Sequence, residues 1–305
     1  MEIYNIGEVI QKRRKSLGIT QEQLSEGICS VQTLSRVENG KHQISWEKFK
    51  RLMEKLGMPS EKYSLVIKVD DMESIEYEKE IFQLISKQEY EKANILFHKL
   101  EKKLDKNERV NQQYLLGIGA VLDYQLKKIL LQEKRKKLEE AIQITIPYKC
   151  KVLKNGIYTQ IEVIILYNIA LCFQEENEKE GIRLLKELKE YLEETSINSR
   201  EYKKLKVIIL YNLSRLLRRN GNYEESKEVG NIAIKEGMSS NQGNILLSEL
   251  YNQLYILSLE IKKGKVEKVE DYKELFFQIY YLSDIFENSD IKRNCDETNI
   301  KIDLI

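Results

Sequence analysis

The tripeptide Leu-Tyr-Asn stands at residues 166–168, 210–212 and 250–252, the copies 44 and then 40 residues apart. Each puts a carboxamide, on Asn168, Asn212 and Asn252, inside a Leu/Ile-rich run that contains no proline. An amide side chain carries a donor and an acceptor, the same pair a peptide unit presents, so a row of them can hold an extended backbone. Arg215 follows Asn212 by one helical turn and offers a guanidinium suited to bidentate pairing with a carboxylate. Tyr211 can pack or line such a site, and Gln125 is a further amide of the same kind. The plain alternative has the amides bonding to carbonyls within the fold or facing water, Tyr167, Tyr211 and Tyr251 packing, and Arg215 solvated.

A second group of polar residues lies within the first 41. Lys12, Arg13, Arg14 and Lys15 form a basic run, and Gln21, Ser30, Gln32, Thr33, Arg36, Asn39 and Lys41 follow. A basic run taken alone is most often a solvated helix face. Catalytic constellations are missing: no paired carboxylates in an apolar setting, no nucleophile–base pair, no glycine-rich phosphate loop and no metal-ligand cluster. An enzyme is therefore not expected, nor a cofactor or metal. Cys29, Cys150, Cys172 and Cys295 are too far apart for a disulfide or zinc framework and read as reduced, mostly buried thiols.

The elements that must position these groups are helical. The 305 residues are 42% hydrophobic and 32% charged with only two prolines, which suits an all-α chain long enough for two domains. The net charge of +1 says nothing about partners. No run approaches the length of a membrane span. The start, "MEIYNIGEVIQKRRK", has an acidic second residue and no apolar signal core, so a cytoplasmic location is expected.

Residues 1–63 divide into short helices. "IGEVIQKRRKSLG" turns Ile6, Val9, Ile10 and Leu17 to one face and stops at Gly18. "TQEQLSEGI" opens with Thr20 and Gln23 in capping-box spacing. "VQTLSRVENGK" turns Leu34 and Val37 inward, and "SWEKFKRLMEKLG" buries Trp46, Phe49, Leu52, Met53 and Leu56. Residues 64–73 read as a linker or linker helix, and from 74 to 305 the texture is long helices in about five pairs. The first pair meets near Gln88–Glu89, and the second divides at residues 132–133. A self-similar period of 34–44 residues marks a helical solenoid, in which each hairpin buries its apolar face against its neighbours.

"LYNLSRLLRRNGNYEESKEV" (210–229) resembles the tetratricopeptide repeat, with small Ser214 and Ser226 and a turn at Gly221 before Tyr223. "TQEQLSEGICSVQTLSRVENGK" resembles the helix-turn-helix of the XRE family of bacterial and phage regulators. That resemblance implies DNA binding. Gln21 then sits where its amide and the helix N–H groups can hold a phosphate. Ser30, Gln32 and Thr33 begin the recognition helix, with Gln32 placed for adenine and Arg36 for phosphate or guanine. Lys12, Arg13, Arg14, Lys15, Asn39 and Lys41 add backbone contacts, while Glu38 is expected to bond within the domain.

The segment between Leu24 and Glu38 is one residue shorter than the broad XRE pattern, with "GICS" at the turn. This shortening, joined to about five repeats, is similar to the RRNPP family of peptide-sensing regulators, its PlcR-like branch in particular. The resemblance implies a cytoplasmic homodimer that binds double-stranded operator DNA. It also implies that the first helix of each hairpin lines a groove for a short, re-imported signalling peptide, held by the three asparagines. A repeat domain serving as scaffold for a protein partner, such as an anti-repressor or toxin, is the alternative.

Overall fold

The computed structural model describes residues 6–42, 44–56, 72–146, 158–194, 200–240, 242–264 and 268–300. Of the expected linker over 64–73, residues 64–71 lie outside these residues, as does Cys150, while residues 72 and 73 already belong to a helix. Among the described residues every regular element is a helix, and the contacts group the chain into two units, Met1–Cys172 and Phe173–Ile305.

Four short helices begin the first unit: α1 (Ile6–Ser16), α2 (Gln21–Ser25), α3 (Val31–Glu38) and α4 (Trp46–Lys55). The Thr20 hydroxyl accepts from the Gln23 backbone N–H at 3.2 Å, and the Gln23 side chain accepts from the Thr20 N–H at 2.8 Å, so the capping box is complete. Ser30 caps α3 in the same manner, accepting from the Thr33 N–H at 3.1 Å. Gly27, at φ +75°, centres the turn between α2 and α3, a left-handed position where a side chain is strained. Arg51 donates to the Gly27 carbonyl and Lys55 to that of Glu26, so α4 holds this turn from below. Ile10, Leu24, Leu34, Val37, Phe49, Leu52, Met53 and Leu56 form the core. Leu17 is not part of it: one residue beyond the end of α1, it is 42% exposed, because the chain has already turned towards Gly18.

The first unit continues with α5 (Met72–Ser86), α6 (Tyr90–Lys103), α7 (Arg109–Gln125), α8 (Leu131–Thr145) and α9 (Gln160–Glu176). The break between α5 and α6 falls at Gln88, at the residues where the apolar periodicity lapses. The second hairpin turns earlier than the expected division at 132–133, between Leu126 and Leu130, through Lys127 at φ +58°. Small residues set the packing: a Cβ on Gly117 would come within 2.9 Å of Ile165, so α7 and α9 meet there with no space for one. Beside it lies a buried polar chain. Gln113 donates to Thr145 Oγ1 at 2.6 Å, Thr145 donates to Glu162, and Glu162 accepts from the Thr159 N–H at 2.8 Å, so the buried carboxylate is hydrogen-bonded.

The second unit holds α10 (Glu178–Glu194), α11 (Arg200–Arg219), α12 (Tyr223–Ser239), α13 (Gly243–Lys262), α14 (Val269–Ile285) and α15 (Ser289–Ile300). The α11–α12 hairpin turns through Gly221 at φ +81°. Ser214 and Ser226 then let the two helices touch: each hydroxyl donates to the other's carbonyl, at 3.0 and 2.8 Å. α13, α14 and α15 share a core of Leu247, Leu254, Ile261, Tyr272, Phe276, Ile279, Ile291 and Cys295. The periodicity does not indicate α15, whose buried apolar residues, among those described, are Ile291 and Cys295, one turn apart. Cys172 and Cys295 are buried and Cys29 is half-buried, none of the three in a disulfide.

Candidate functional site

Two groups of side chains have the geometry to bind something. The first is the surface of α3. Its apolar residues Leu34 and Val37 face the core, so Gln32 and Arg36, four residues apart, project together from the opposite, exposed side. Ser30 and Thr33, joined through their hydroxyls at 2.8 Å, lie at the N-terminus of the same helix. Asn39 and Lys41 are exposed just past its end, with the Asn39 amide donating to the Ser35 carbonyl at 2.7 Å. Lys12 and Lys15 are exposed on α1.

Three residues expected to contact phosphate have partners inside the domain. Arg14 forms a two-point pair with Glu38, at 2.7 and 2.8 Å, and also donates to the Ile19 carbonyl. Gln21 donates to the same Glu38 carboxylate at 2.8 Å. Arg13, half-buried, donates to the Leu56 carbonyl at 3.3 Å. Burial alone would raise the Glu38 carboxyl, but the bonds from Arg14 and Gln21 outweigh it and hold it below the ordinary value. Arg14 and Gln21 thus serve the frame that aims α3.

The second group lies within the second unit, on α11 and α13. The three asparagines do not form the open row of amides that their shared tripeptide predicts. Asn168 is buried and donates to the Ile164 carbonyl at 3.0 Å, within its own helix. Asn212, half-buried, does the same with Ile208 at 2.9 Å. Asn252 is buried, donating to Ser214 Oγ at 2.8 Å and Glu249 Oε1 at 3.2 Å while its oxygen accepts from Arg218 Nε at 2.5 Å. An asparagine inside a helix finds a carbonyl four residues back, which satisfies its N–H group before any ligand can. Gln125 is exposed on the last turn of α7.

What reaches outward from these amides is arginine. Arg215 Nη2 donates to the oxygens of Gln174, at 3.0 Å, and Asn212, at 3.3 Å, while its buried Nε meets no acceptor. Arg218 lies over the Tyr255 ring, 4.4 Å from its centroid. Tyr211 is half-buried on the same helix. Glu249, which no motif singles out in the sequence, lies fully buried beneath. Its register was a clue, because it shares a face with Ile245, Asn252 and Ile256. Among the described residues no group of His, Cys, Asp and Glu is arranged to hold a metal, and no helix is long and apolar enough to cross a membrane.

Comparison with known proteins bears on both groups. A helix-turn-helix family model matches residues 10–62, and the model of the RNPP family C-terminal domain matches residues 78–294. Among solved structures, the chain is similar to Bacillus thuringiensis PlcR in complex with the peptide PapR7 and DNA, at 24% identity and a TM-score of 0.61, covering 95% of this chain and 98% of that one. It is also similar to the apo form of the competence regulator ComR from Streptococcus vestibularis, at 12% identity and a TM-score of 0.56, with 97% of each chain covered. ComR from S. thermophilus, in complex with DNA and its signalling peptide ComS, matches at 13% identity and a TM-score of 0.54, over 97% of this chain and 99% of that one. At these identities the likeness is one of fold. Comparison with curated protein sequences finds no match.

Proposed function

The chain belongs to the RNPP family, and from that premise we propose that it is a cytoplasmic transcription regulator that binds operator DNA as a dimer under the control of a short signalling peptide. Members of the family are DNA-binding, peptide-responsive regulators and not enzymes. Gln32 and Arg36 read base edges, with Ser30, Thr33, Asn39 and Lys41 on the backbone and Lys12 adding charge. Two copies are needed because helix-turn-helix modules read half-sites about one DNA turn, ~34 Å, apart or a multiple of that.

The peptide site in this reading is the strip of α11 and α13 that carries Arg215, Arg218, Asn212, Tyr211 and Asn252, with the asparagines orienting arginines rather than clamping the backbone themselves. The observation that carries it is Arg215, a half-buried cation held by two neutral amides with one N–H turned to no acceptor. Burying such a group is costly unless something completes its bonds, and a peptide's oxygens do so. That PlcR and ComR were each captured with a peptide and DNA supports the peptide-responsive reading as a whole.

Selection of binding sites from random duplexes, followed by sedimentation of the complex, tests the DNA half. A two-fold symmetric site bound by two protomers is expected. Enrichment of no sequence, or one protomer on an asymmetric site, contradicts it.

A further inference from the structure

The second unit sorts its arginines by partner. Among the described side chains Arg183 pairs with Glu180 and Glu187, Arg219 with Glu178 at 3.7 Å, and Arg293 with Asp290 at 2.9 Å. Among the described residues Arg215 and Arg218 pair with no carboxylate; their partners are the amide oxygens of Gln174, Asn212 and Asn252, and the face of Tyr255. They stand three residues apart on α11, so the two guanidinia belong to one helix face. We propose that the ligand of this strip is acidic, its carboxylate held jointly by Arg215 and Arg218, with Asn252 and Glu249 as the positioning residues that present Arg218; this rests on the peptide reading above.

The geometry beneath Arg218 explains why the site stays open to an anion. The Glu249 side chain is fully buried, its Oε1 accepting from Asn252 Nδ2 at 3.2 Å and lying 2.9 Å from Ser214 Oγ. Those bonds fix the Asn252 amide with its oxygen towards Arg218 Nε. Glu249 Oε2 is buried and meets no donor among the described residues, so the acid has no ion-pair partner there. Burial pushes its carboxyl up to about 8. At neutral pH it therefore keeps its proton and leaves the charge of Arg218 uncompensated. The ionisable groups facing it, Arg218 and the Tyr211 hydroxyl, both come from α11; α12 presents Ser226 and Gly230. Tyr211 is itself raised, mainly by burial, and stays neutral over the same range.

A carboxylate of either origin, a peptide's C-terminus or an acidic side chain, supplies the missing countercharge. The test uses full-length protein and synthetic pools of short peptides. One position in each pool is fixed as Glu or as Gln, and each pool is made with a free and with an amidated C-terminus. Retention of the pools by the protein is read at pH 7 and at pH 9.

At pH 7 an acidic pool should bind about tenfold better than the amidated Gln pool. Whether the Glu or the free terminus carries that gain identifies the source of the carboxylate. Arg218→Gln should remove the preference while the melting transition is kept. In the wild-type chain the preference should shrink between pH 7 and pH 9, as Glu249 ionises and neutralises Arg218, and Glu249→Gln should abolish that shrinkage. Equal binding of acidic and neutral pools overturns this proposal and leaves the peptide reading standing. Binding of no pool overturns both. A pH dependence unchanged in Glu249→Gln removes Glu249 from its positioning role.

Discussion

Arg14 and Glu38 meet in a two-point ion pair that ties the last turn of α1 to the last residue of α3, with side chains only 11% and 0% exposed. Gln21, the first residue of α2, adds a third bond to the same carboxylate, so three helices are registered through one acid. Removing that acid leaves a nearly buried guanidinium without its partner, the situation in which a buried ion pair costs most to break. Glu38→Ala should lower the stability of the helix-turn-helix domain by about 3–5 kcal/mol, measured by urea denaturation; an unchanged midpoint would remove the pair from its structural role. The pH sense follows from the lowered carboxyl of Glu38. Its contribution is present above the unfolded value near 4.5 and disappears as the pH falls through the lower folded value.

The exposed row on α3 separates from this frame by experiment. Gln32→Ala should cost about 1–3 kcal/mol of discrimination at a single base pair and leave the salt dependence alone. Lys12→Ala should weaken every duplex alike and flatten the salt slope by about 0.9. Binding-site selection combined with salt titration distinguishes them, and a Gln32 variant with unaltered preference refutes that contact.

Close approach of α1 to α3 depends on Gly7, where an added Cβ would lie 1.6 Å from the Val37 carbonyl oxygen. The obstacle is backbone and cannot step aside as a side chain would. Gly7→Ala should destabilise this domain by about 3 kcal/mol, despite the better helix propensity of alanine. DNA binding should be lost while the melting of the repeats is preserved. Wild-type affinity in this variant would mean the two helices can separate without consequence.

Glu249 predicts a stability profile of opposite sense to that of Glu38. Its folded value, about 8, lies above the ordinary 4.5, so between these limits the unfolded chain loses the proton first. Stability should fall as the pH rises from about 4.5 to about 8 and level off beyond. Glu249→Gln, which cannot ionise, should flatten that decline and melt several degrees higher than wild type at pH 8, where about 1 kcal/mol already moves a melting point by a few degrees. Parallel profiles for the two proteins would show that Glu249 titrates normally.

Local signals were legible where chemistry is local. The Thr20–Gln23 box, the Ser30 cap, the turn at Gly221 and the small pair Ser214 and Ser226 all occupy the positions their residue types require. The three asparagines show where legibility stops. The same tripeptide yields two amides closed onto their own helices and one, Asn252, at the centre of a buried network, since the outcome depends on what the neighbouring helix offers. Arg14 is a related case: its charge suggests phosphate, and its partner in the fold, Glu38, lies 24 residues along the chain. Glu249 belongs to no motif, and only its place on a face with Ile245, Asn252 and Ile256 sets it apart.

The central claim is that a peptide on the Arg215–Arg218 strip alters how the helix-turn-helix holds DNA. The direct measurement is the affinity of full-length protein for a selected duplex, with and without a saturating peptide from the pools above, in wild type and Arg215→Gln. Only a ligand with different affinities for two states can shift them, and a coupling of about fivefold or more is expected in the wild-type chain. Arg215→Gln should show no shift while its peptide-free affinity for DNA is unchanged. A peptide that binds without moving the DNA affinity, or a shift undiminished in Arg215→Gln, would contradict the account.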